Sequence, residues 1–585
     1  MDRKNLILGL ACIVGAFALF FIAQPKQTAA PTNPAVVAPA PKSQPVTTVI
    51  SEVISPLPAP GAAVEVAADK AAKYVRSTKT LKVTFTSRGG AIEQVELLRE
   101  FADTEKKGNV IFNAQSAEGA LALVVQNPVS KQLEVVHTEF KPEGAETATA
   151  IKLVGTLPDG TRVVRTFTLA AEDVEGVEPY SLRFSTQLLP AKAGSAVPKV
   201  WLTSGTWQPT QGDSVNQFLS ILASDGEDLT RTGIDVFTDS NGFFGLGARK
   251  AQAEHTVVAA KPFAWVASGN QFFASIIHPD ANYRGARSEV LVKPVELASG
   301  KRGLQAMASW ESPLRPDFSA VMEGDFFVGP KEYARVSNLP DGQVAVLQFS
   351  KLLGFISFGA ICKLLLACLG GVHSLLNWAG SWAWGWAIVA LTVFIKLITW
   401  PLTSAQQKAA KKMQKFAQPM KDLREKYKDN PEKLNKEMMK LYQEHKINPF
   451  AGCLPILIQM PIFFGLYTAF QTTVELRLHS FLWIADLSAP DTLLHLGSFP
   501  INLLPILMGL SMWQSMRMTP NPSADDSQKM IFMMMTFMFP VICYGSPAAL
   551  TLYMTLQNLL TMLQTWLTKA PDVEVIPPAN KKSRA

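Results

Sequence analysis

Lys396 stands inside an apolar run, Leu391-Thr-Val-Phe-Ile-Lys396-Leu-Ile-Thr-Trp-Pro401. A charge placed there is expensive in hydrocarbon and by default marks a functional site. The plainer alternative is a lysine whose long stem lifts its ammonium to a nearby interface. Thr392, four residues earlier, shares its helical face. Other apolar runs carry Gln459, Ser511, Gln514, Gln557 and Asn558. Singly, each fits helix–helix glue; with Lys396 they outline a hydrophilic groove between helices. Its chemistry would be solvation of polar groups rather than bond breaking.

The same runs hold almost no Asp or Glu, which argues against a carboxylate proton relay or an intramembrane ion site. No ATP or GTP motif is present, so any nucleotide-driven step belongs to partners. Cys12, Cys362, Cys368, Cys453 and Cys543 all lie in apolar segments without CxxC or Cys/His spacing. They read as small buried hydrophobes, with no metal site and no disulfides. The chain is therefore expected to be no enzyme and to need no cofactor.

A groove needs helices around it. Apolar runs at about 380–400, 450–472, 500–518, 530–546 and 548–567 are each long enough to cross a bilayer core of roughly 30 Å. Trp400, Trp483, Trp513 and Trp566 sit near their ends as interfacial anchors. Pro461, Pro540 and Pro547 mark kinks or starts. Residues 1–23 add an uncleaved signal anchor behind Arg3 and Lys4. The run 352–376 is also apolar, but parity excludes it as a span. With the N-terminus inside and the basic segment 403–447 inside, an even number of crossings must separate them. It is read as an interfacial amphipathic helix. Six spans result, with both termini cytoplasmic.

The basic segment reads as a helical hairpin. Met413, Phe416, Met420, Leu423 and Tyr427 follow 3/4 spacing, and Leu434, Met438 and Leu441 repeat it after a Lys428-Asp-Asn-Pro431 turn. Lys411, Lys412, Lys415, Lys421 and Arg424 then face outward. They form either a solvated surface that merely satisfies topology or a docking surface for anionic partners. This clustering, with the tail at 568–585, accounts for much of the net charge of +7.

Between anchor and core lies different material. Residues 24–65 are a Pro/Ala-rich linker. Residues 66–345 alternate with period two: Leu81, Val83 and Phe85, or Leu182, Phe184, Thr186 and Leu188. Turn signals such as Pro158-Asp-Gly160 separate the runs, predicting a large all-β sandwich.

The order Trp400-Pro-Leu-Thr-Ser-Ala-Gln406, Asn448-Pro-Phe-Ala-Gly-Cys-Leu-Pro455, Leu457-Ile-Gln-Met-Pro-Ile-Phe463, Leu504-Pro-Ile-Leu-Met-Gly509 and Leu552-Tyr553 resembles the core of the YidC/Oxa/Alb insertase family. The soluble part, at Thr86-Ser-Arg-Gly-Gly90 and Val328-Gly-Pro330, resembles the periplasmic domain of its Gram-negative members. The resemblance covers nearly the whole chain. It implies a polytopic α-helical membrane protein of six transmembrane helices, with a five-helix core around a groove and an inserted β-sandwich. Tyr553 and Met554 join the groove on this basis. Lys396 replaces the family's usual arginine, and Met554 replaces a second aromatic.

The function implied is a membrane protein insertase and chaperone of the bacterial inner membrane. A substrate's hydrophilic flank enters the groove while its apolar helix slides out along Met460, Phe463 and Phe464. Implied partners are nascent membrane proteins, the Sec translocase and its accessory subunits, the ribosome and membrane lipids. Two alternatives remain to be weighed. A secondary transporter would need ionisable coupling residues in repeated halves, and neither is legible. A membrane-tethered periplasmic carbohydrate-binding protein would need His137, His255 and His278 to act together, since the implied sandwich is similar to sugar mutarotases.

Overall fold

A computed structural model describes residues 63–568 apart from short internal stretches, the longest being 241–247, 446–453 and 519–525. The expected anchor, most of the linker and the basic tail lie outside the described residues.

The strand readings meet a β-rich domain. Strand Ser181–Leu189 buries Leu182, Phe184, Thr186 and Leu188 while Arg183 is exposed. It is an interior strand, the sixth, of a nine-stranded antiparallel sheet ordered from Leu229–Gly233 at one edge to Phe140–Pro142 at the other. A six-stranded sheet containing Ser288–Glu296 and Arg302–Trp310 and a four-stranded sheet starting at Lys73–Ser77 share its core. Central strands such as Phe273–Pro279 are buried on both faces, so strict alternation disappears there.

Arg165 is fully buried in this core. Its guanidinium donates to the carbonyls of Gly90 (2.8 Å) and Leu121 (2.6 Å) and lies 4.9 Å from the Phe167 ring centroid. Burial pulls its pKa below the usual value. The Ser87-Arg-Gly-Gly90 turn has a local reason too. Gly89 has φ +68°, and a Cβ there would meet the Val136 carbonyl oxygen at 2.3 Å.

The helical region contains α1 (Phe358–Leu375), α2 (Ala383–Lys415), α3 (Ala417–Lys426), α4 (Pro431–Glu444), α5 (Leu454–Thr472), α6 (Leu503–Met518), α7 (Asp526–Ile542) and α8 (Ala548–Leu567). A shared apolar core joins Leu365 and Leu369 of α1, Ile388 and Leu391 of α2, Leu466 and Phe470 of α5, and Leu550 and Tyr553 of α8.

Two helix boundaries differ from those expected. The helix expected over 352–376 begins only at Phe358, because Lys351–Leu352 pairs with Ile356–Ser357 in a small ribbon. The helix holding the second expected span does not end near Trp400. Pro401 sits inside α2, and the helix continues to Lys415, losing one N–H toward Leu397 without breaking. The break falls after Lys415, which puts Pro419 in the first turn of α3, where a missing N–H is harmless.

By length and composition, one described helix, Asn377–Ala405, is long and apolar enough to cross a membrane, with mean hydropathy 1.7. Ala360–Leu375 and Met533–Gly545 are apolar but shorter.

The hairpin packs much as its spacing suggests. Phe416, Met420 and Met438 are buried together, with Leu423, Leu434 and Leu441 against them. Asn430 caps α4 by accepting the Lys433 N–H at 3.1 Å, with Pro431 as its first residue.

Candidate functional site: a polar column around helix α8

Helix α8 carries polar residues at positions 557, 561, 564 and 565, with Thr568 just past its end, a spacing that keeps them on neighbouring faces. Helix α2 answers with Lys396, Thr403, Ser404 and Gln407. The two stripes interlock. Lys396, 2% exposed, donates from Nζ to Thr561 Oγ1 at 2.9 Å. Thr561 donates in turn to the Gln557 carbonyl at 2.7 Å, so its hydroxyl is used both as donor and acceptor. Among the described residues no carboxylate pairs with Lys396.

Beyond it the column continues. Gln564 Nε2 lies 3.1 Å from the Trp400 carbonyl, 2.8 Å from Thr403 Oγ1 and 2.9 Å from Ser404 Oγ. Gln407 donates to Thr565 at 3.0 Å and accepts from Thr568 at 3.0 Å.

Two further helices touch the column. From α5, Gln459 donates to the Tyr553 hydroxyl at 2.9 Å, and Gln557 reaches Gln459 Oε1 at 3.5 Å. Among the described residues the buried Oε1 of Gln557 has no hydrogen-bond partner, which leaves an acceptor for another donor. On the α6 side, Asn558 donates to Ser511 at 3.1 Å. The site is thus a set of neutral donors and acceptors around one ammonium. It can exchange hydrogen bonds with a polar guest, and among the described residues it pairs no nucleophile with a base.

Not every expected groove residue joins. The Thr392 hydroxyl bonds back to the Ile388 carbonyl at 2.7 Å and is spent within its own helix. Gln514, one turn beyond Ser511, is exposed. Met554 is partly buried against the apolar core. Of the slide residues, Met460 is exposed and Phe464 partly buried. Phe463 instead turns inward, with ring centroids 5.4 Å from Phe539 of α7 and 5.2 Å from Phe464. On the hairpin, Lys421 is exposed and Arg424 half-buried, while the side chains of Lys411, Lys412 and Lys415 lie outside the described residues. The sequence reading missed Thr561, Gln564, Thr403, Ser404 and Gln407. Their signal was the repeated 3/4 spacing of Thr and Gln in an otherwise apolar helix.

The three histidines do not meet. His278 bonds Asp341 (2.9 Å) beside Arg284, and His137 bonds Glu118 (3.1 Å) beside Arg88. His255 lies on an edge strand of the six-stranded sheet with Gln252.

The family model described as YidC periplasmic domain matches residues 75–364, and that described as 60Kd inner membrane protein matches 375–574. The membrane protein insertase YidC of Cupriavidus taiwanensis is 30% identical over 499 residues, covering 84% of this chain and 81% of that one. The chain belongs to the YidC family of membrane protein insertases. Its Dechloromonas aromatica relative is 28% identical over 588 residues, 97% of each chain. A crystal structure of an active YidC insertase, 18% identical, covers 87% of this chain and 95% of its own, at TM-score 0.34. The β-rich part thus matches the YidC periplasmic domain, and the helical C-terminal part matches the inner membrane protein family.

Proposed function

We propose that this YidC-family chain inserts membrane proteins by lending the polar column around α8 to the hydrophilic flank of a substrate. The observation that carries the reading is the buried Lys396–Thr561 pair, set among neutral amides and hydroxyls in an apolar helix bundle. Stripping water from a polar flank is the main barrier to crossing hydrocarbon, and prearranged donors and acceptors lower it. The apolar segment of the substrate then partitions into lipid beside Met460 and Phe464, driven by removal of its surface from water. No bond is made or broken, and no nucleotide is consumed by this chain.

The topology that goes with this reading has six spans: the N-terminal anchor, α2, α5, α6, α7 and α8. The sandwich is then periplasmic, and α3, α4 and the tail cytoplasmic. Helix α1 lies in the outer interface. The α3–α4 hairpin, with Lys421 and Arg424, receives anionic partners: lipid headgroups, a ribosome or a nascent chain. The Sec translocase and its accessory subunits fit the same reading as co-workers at the inner membrane.

The test is an in vivo insertion assay that pairs Lys396 variants with acidic and neutral substrate flanks. Lys396→Arg should preserve insertion, because charge and reach survive. Lys396→Glu should impair acidic flanks far more than neutral ones while the protein still accumulates. Equal insertion across all combinations would remove Lys396 from the mechanism.

A further inference from the structure

Between α5 and α6 the chain forms a two-stranded ribbon, Thr492–Leu496 paired with Phe499–Asn502. Its side chains are exposed on both faces: Leu493 53%, Leu494 50%, Leu496 73% and Phe499 57%. The segment 492–502 contains no Asp, Glu, Lys or Arg. A ribbon facing water on both sides would be expected to carry charge to suppress edge pairing, and this one does not.

The ribbon is nevertheless held firmly at its base. Thr492 bonds Asn502 at 2.7 Å, and Asn502, itself buried, donates to the Tyr544 carbonyl at 2.7 Å. The Tyr544 hydroxyl donates to the Pro500 carbonyl at 2.6 Å, and its ring lies 5.5 Å from that of Phe499. A fixed base that presents a bare apolar tip describes an anchor, not a frayed loop.

Its neighbours identify the medium. Asp491, next to the ribbon, accepts from Trp483 Nε1 at 3.2 Å and from the first turn of α6 at Leu504 N, 2.6 Å. Phe481, two residues before Trp483, packs edge-on to Trp382 (6.0 Å) and Trp386 (5.5 Å) at the start of α2. Trp382, Trp386 and Trp483 are each at least 40% exposed. The ribbon therefore continues a belt of half-exposed tryptophans at one end of the bundle, the level at which indoles settle in a bilayer.

We propose that the 492–502 ribbon is a lipid anchor that seats Leu493, Leu494, Leu496 and Phe499 in the outer leaflet. The unpaired edges of a two-stranded ribbon need water or headgroups, so it lies in the interfacial layer rather than the hydrocarbon centre. Anchored there, it sets the depth of α5 and α6, the helices bearing Gln459 and Ser511. The inference rests on reading α6 as a span.

Spin labels test it in the full chain, with its five cysteines replaced by alanine, in nanodiscs of phosphatidylethanolamine and phosphatidylglycerol. Labels go at Leu493→Cys, Leu496→Cys, Leu510→Cys on the exposed side of α6, and Val129→Cys, which is 90% exposed in the sandwich. Collision with oxygen over a water-soluble nickel chelate should be favoured severalfold at 493, 496 and 510 relative to 129. Nickel-favoured labels at 493 and 496, with 510 still oxygen-favoured, would place the ribbon in water and overturn the anchor. Labels at 493 and 496 shielded from both probes would mean a protein partner covers them and would overturn it equally. Should Leu510 also be nickel-favoured, α6 is no span, and the topological reading fails along with the anchor.

Discussion

Arg477, just beyond α5, donates to the carbonyl of Phe101 at 2.6 Å across 376 residues of chain. Its other terminal nitrogen donates to the Ala102 carbonyl at 2.7 Å, and the guanidinium lies over the Phe272 and Phe273 rings. Gln271 donates to the Gln471 carbonyl at 2.8 Å, and Tyr333 N–H to Glu475 at 3.1 Å. Val474 enters the sandwich core. The end of α5, the helix bearing Gln459, is thus bolted to the β domain.

Removing that bolt should loosen the joint selectively. Arg477→Ala removes two hydrogen bonds from a charged donor, one part-buried and one exposed, a loss of about 2 kcal/mol. Hydrogen exchange should accelerate roughly thirtyfold in residues 98–102 and 271–273, if local opening governs exchange there. The interior of strand Ser181–Leu189 should be unchanged. Equal acceleration in both places would mean a global fault instead.

The joint should also respond to pH. Burial, reinforced by Glu332 and opposed by backbone hydrogen bonds and Arg335, pushes the Glu475 carboxyl up to about 7. A folded-state pKa above the unfolded value means the folded form holds the proton more tightly. Its stabilisation is complete below the ordinary carboxyl range and declines as pH rises through about 7. Glu475→Gln keeps an acceptor for Tyr333 and should flatten the dependence of exchange protection at 271–273 between acid and mildly alkaline pH.

Thr561 should matter in proportion to the charge it serves. Thr561→Val removes the acceptor of Lys396 while keeping the shape. Insertion of acidic-flank substrates should change by roughly tenfold, the scale of one charge-assisted hydrogen bond. Neutral flanks should stay within about twofold if the groove acts mainly through that ammonium. An insertion assay with matched expression reads both.

In the sandwich, Arg165→Met should destabilise by about 3 kcal/mol, since the Gly90 and Leu121 carbonyls lose their donors inside the core. Pulse proteolysis of the full chain, scored by cleavage within residues 73–330, measures it.

Helix α2 meets the α5–α6 connection at Gly385, where a Cβ would fall 2.1 Å from the Phe481 ring. Gly385→Ala should lower stability by about 1–3 kcal/mol through overpacking. Adding Phe481→Leu should recover part of the loss, because the two side chains share one space. Thermal unfolding of the detergent-solubilised chain gives both values.

Local patterns were readable from the sequence alone. Period two exposes Arg183 and buries Leu182 and Phe184 because side chains alternate across a strand. The 3/4 spacing of Phe416 and Met420, repeated at Leu434 and Met438 on the next helix, similarly made a small apolar seam. Lys396 stood out because its surroundings in sequence are apolar. Its partner did not: Thr561 lies 165 residues away, and only the packing of α2 on α8 selects it from many threonines. The same holds for Arg477 and Phe101, for the separation of His137, His255 and His278, and for the inward turn of Phe463. The apolar run stops near Trp400, and nothing local in the sequence showed that the helix continues past Pro401. Tertiary packing, with Gln564 bridging Trp400, Thr403 and Ser404, accompanies its continuation. Periodicity is a property of neighbours in sequence and survives without a fold, whereas the choice of a distant partner is made only when helices and sheets dock.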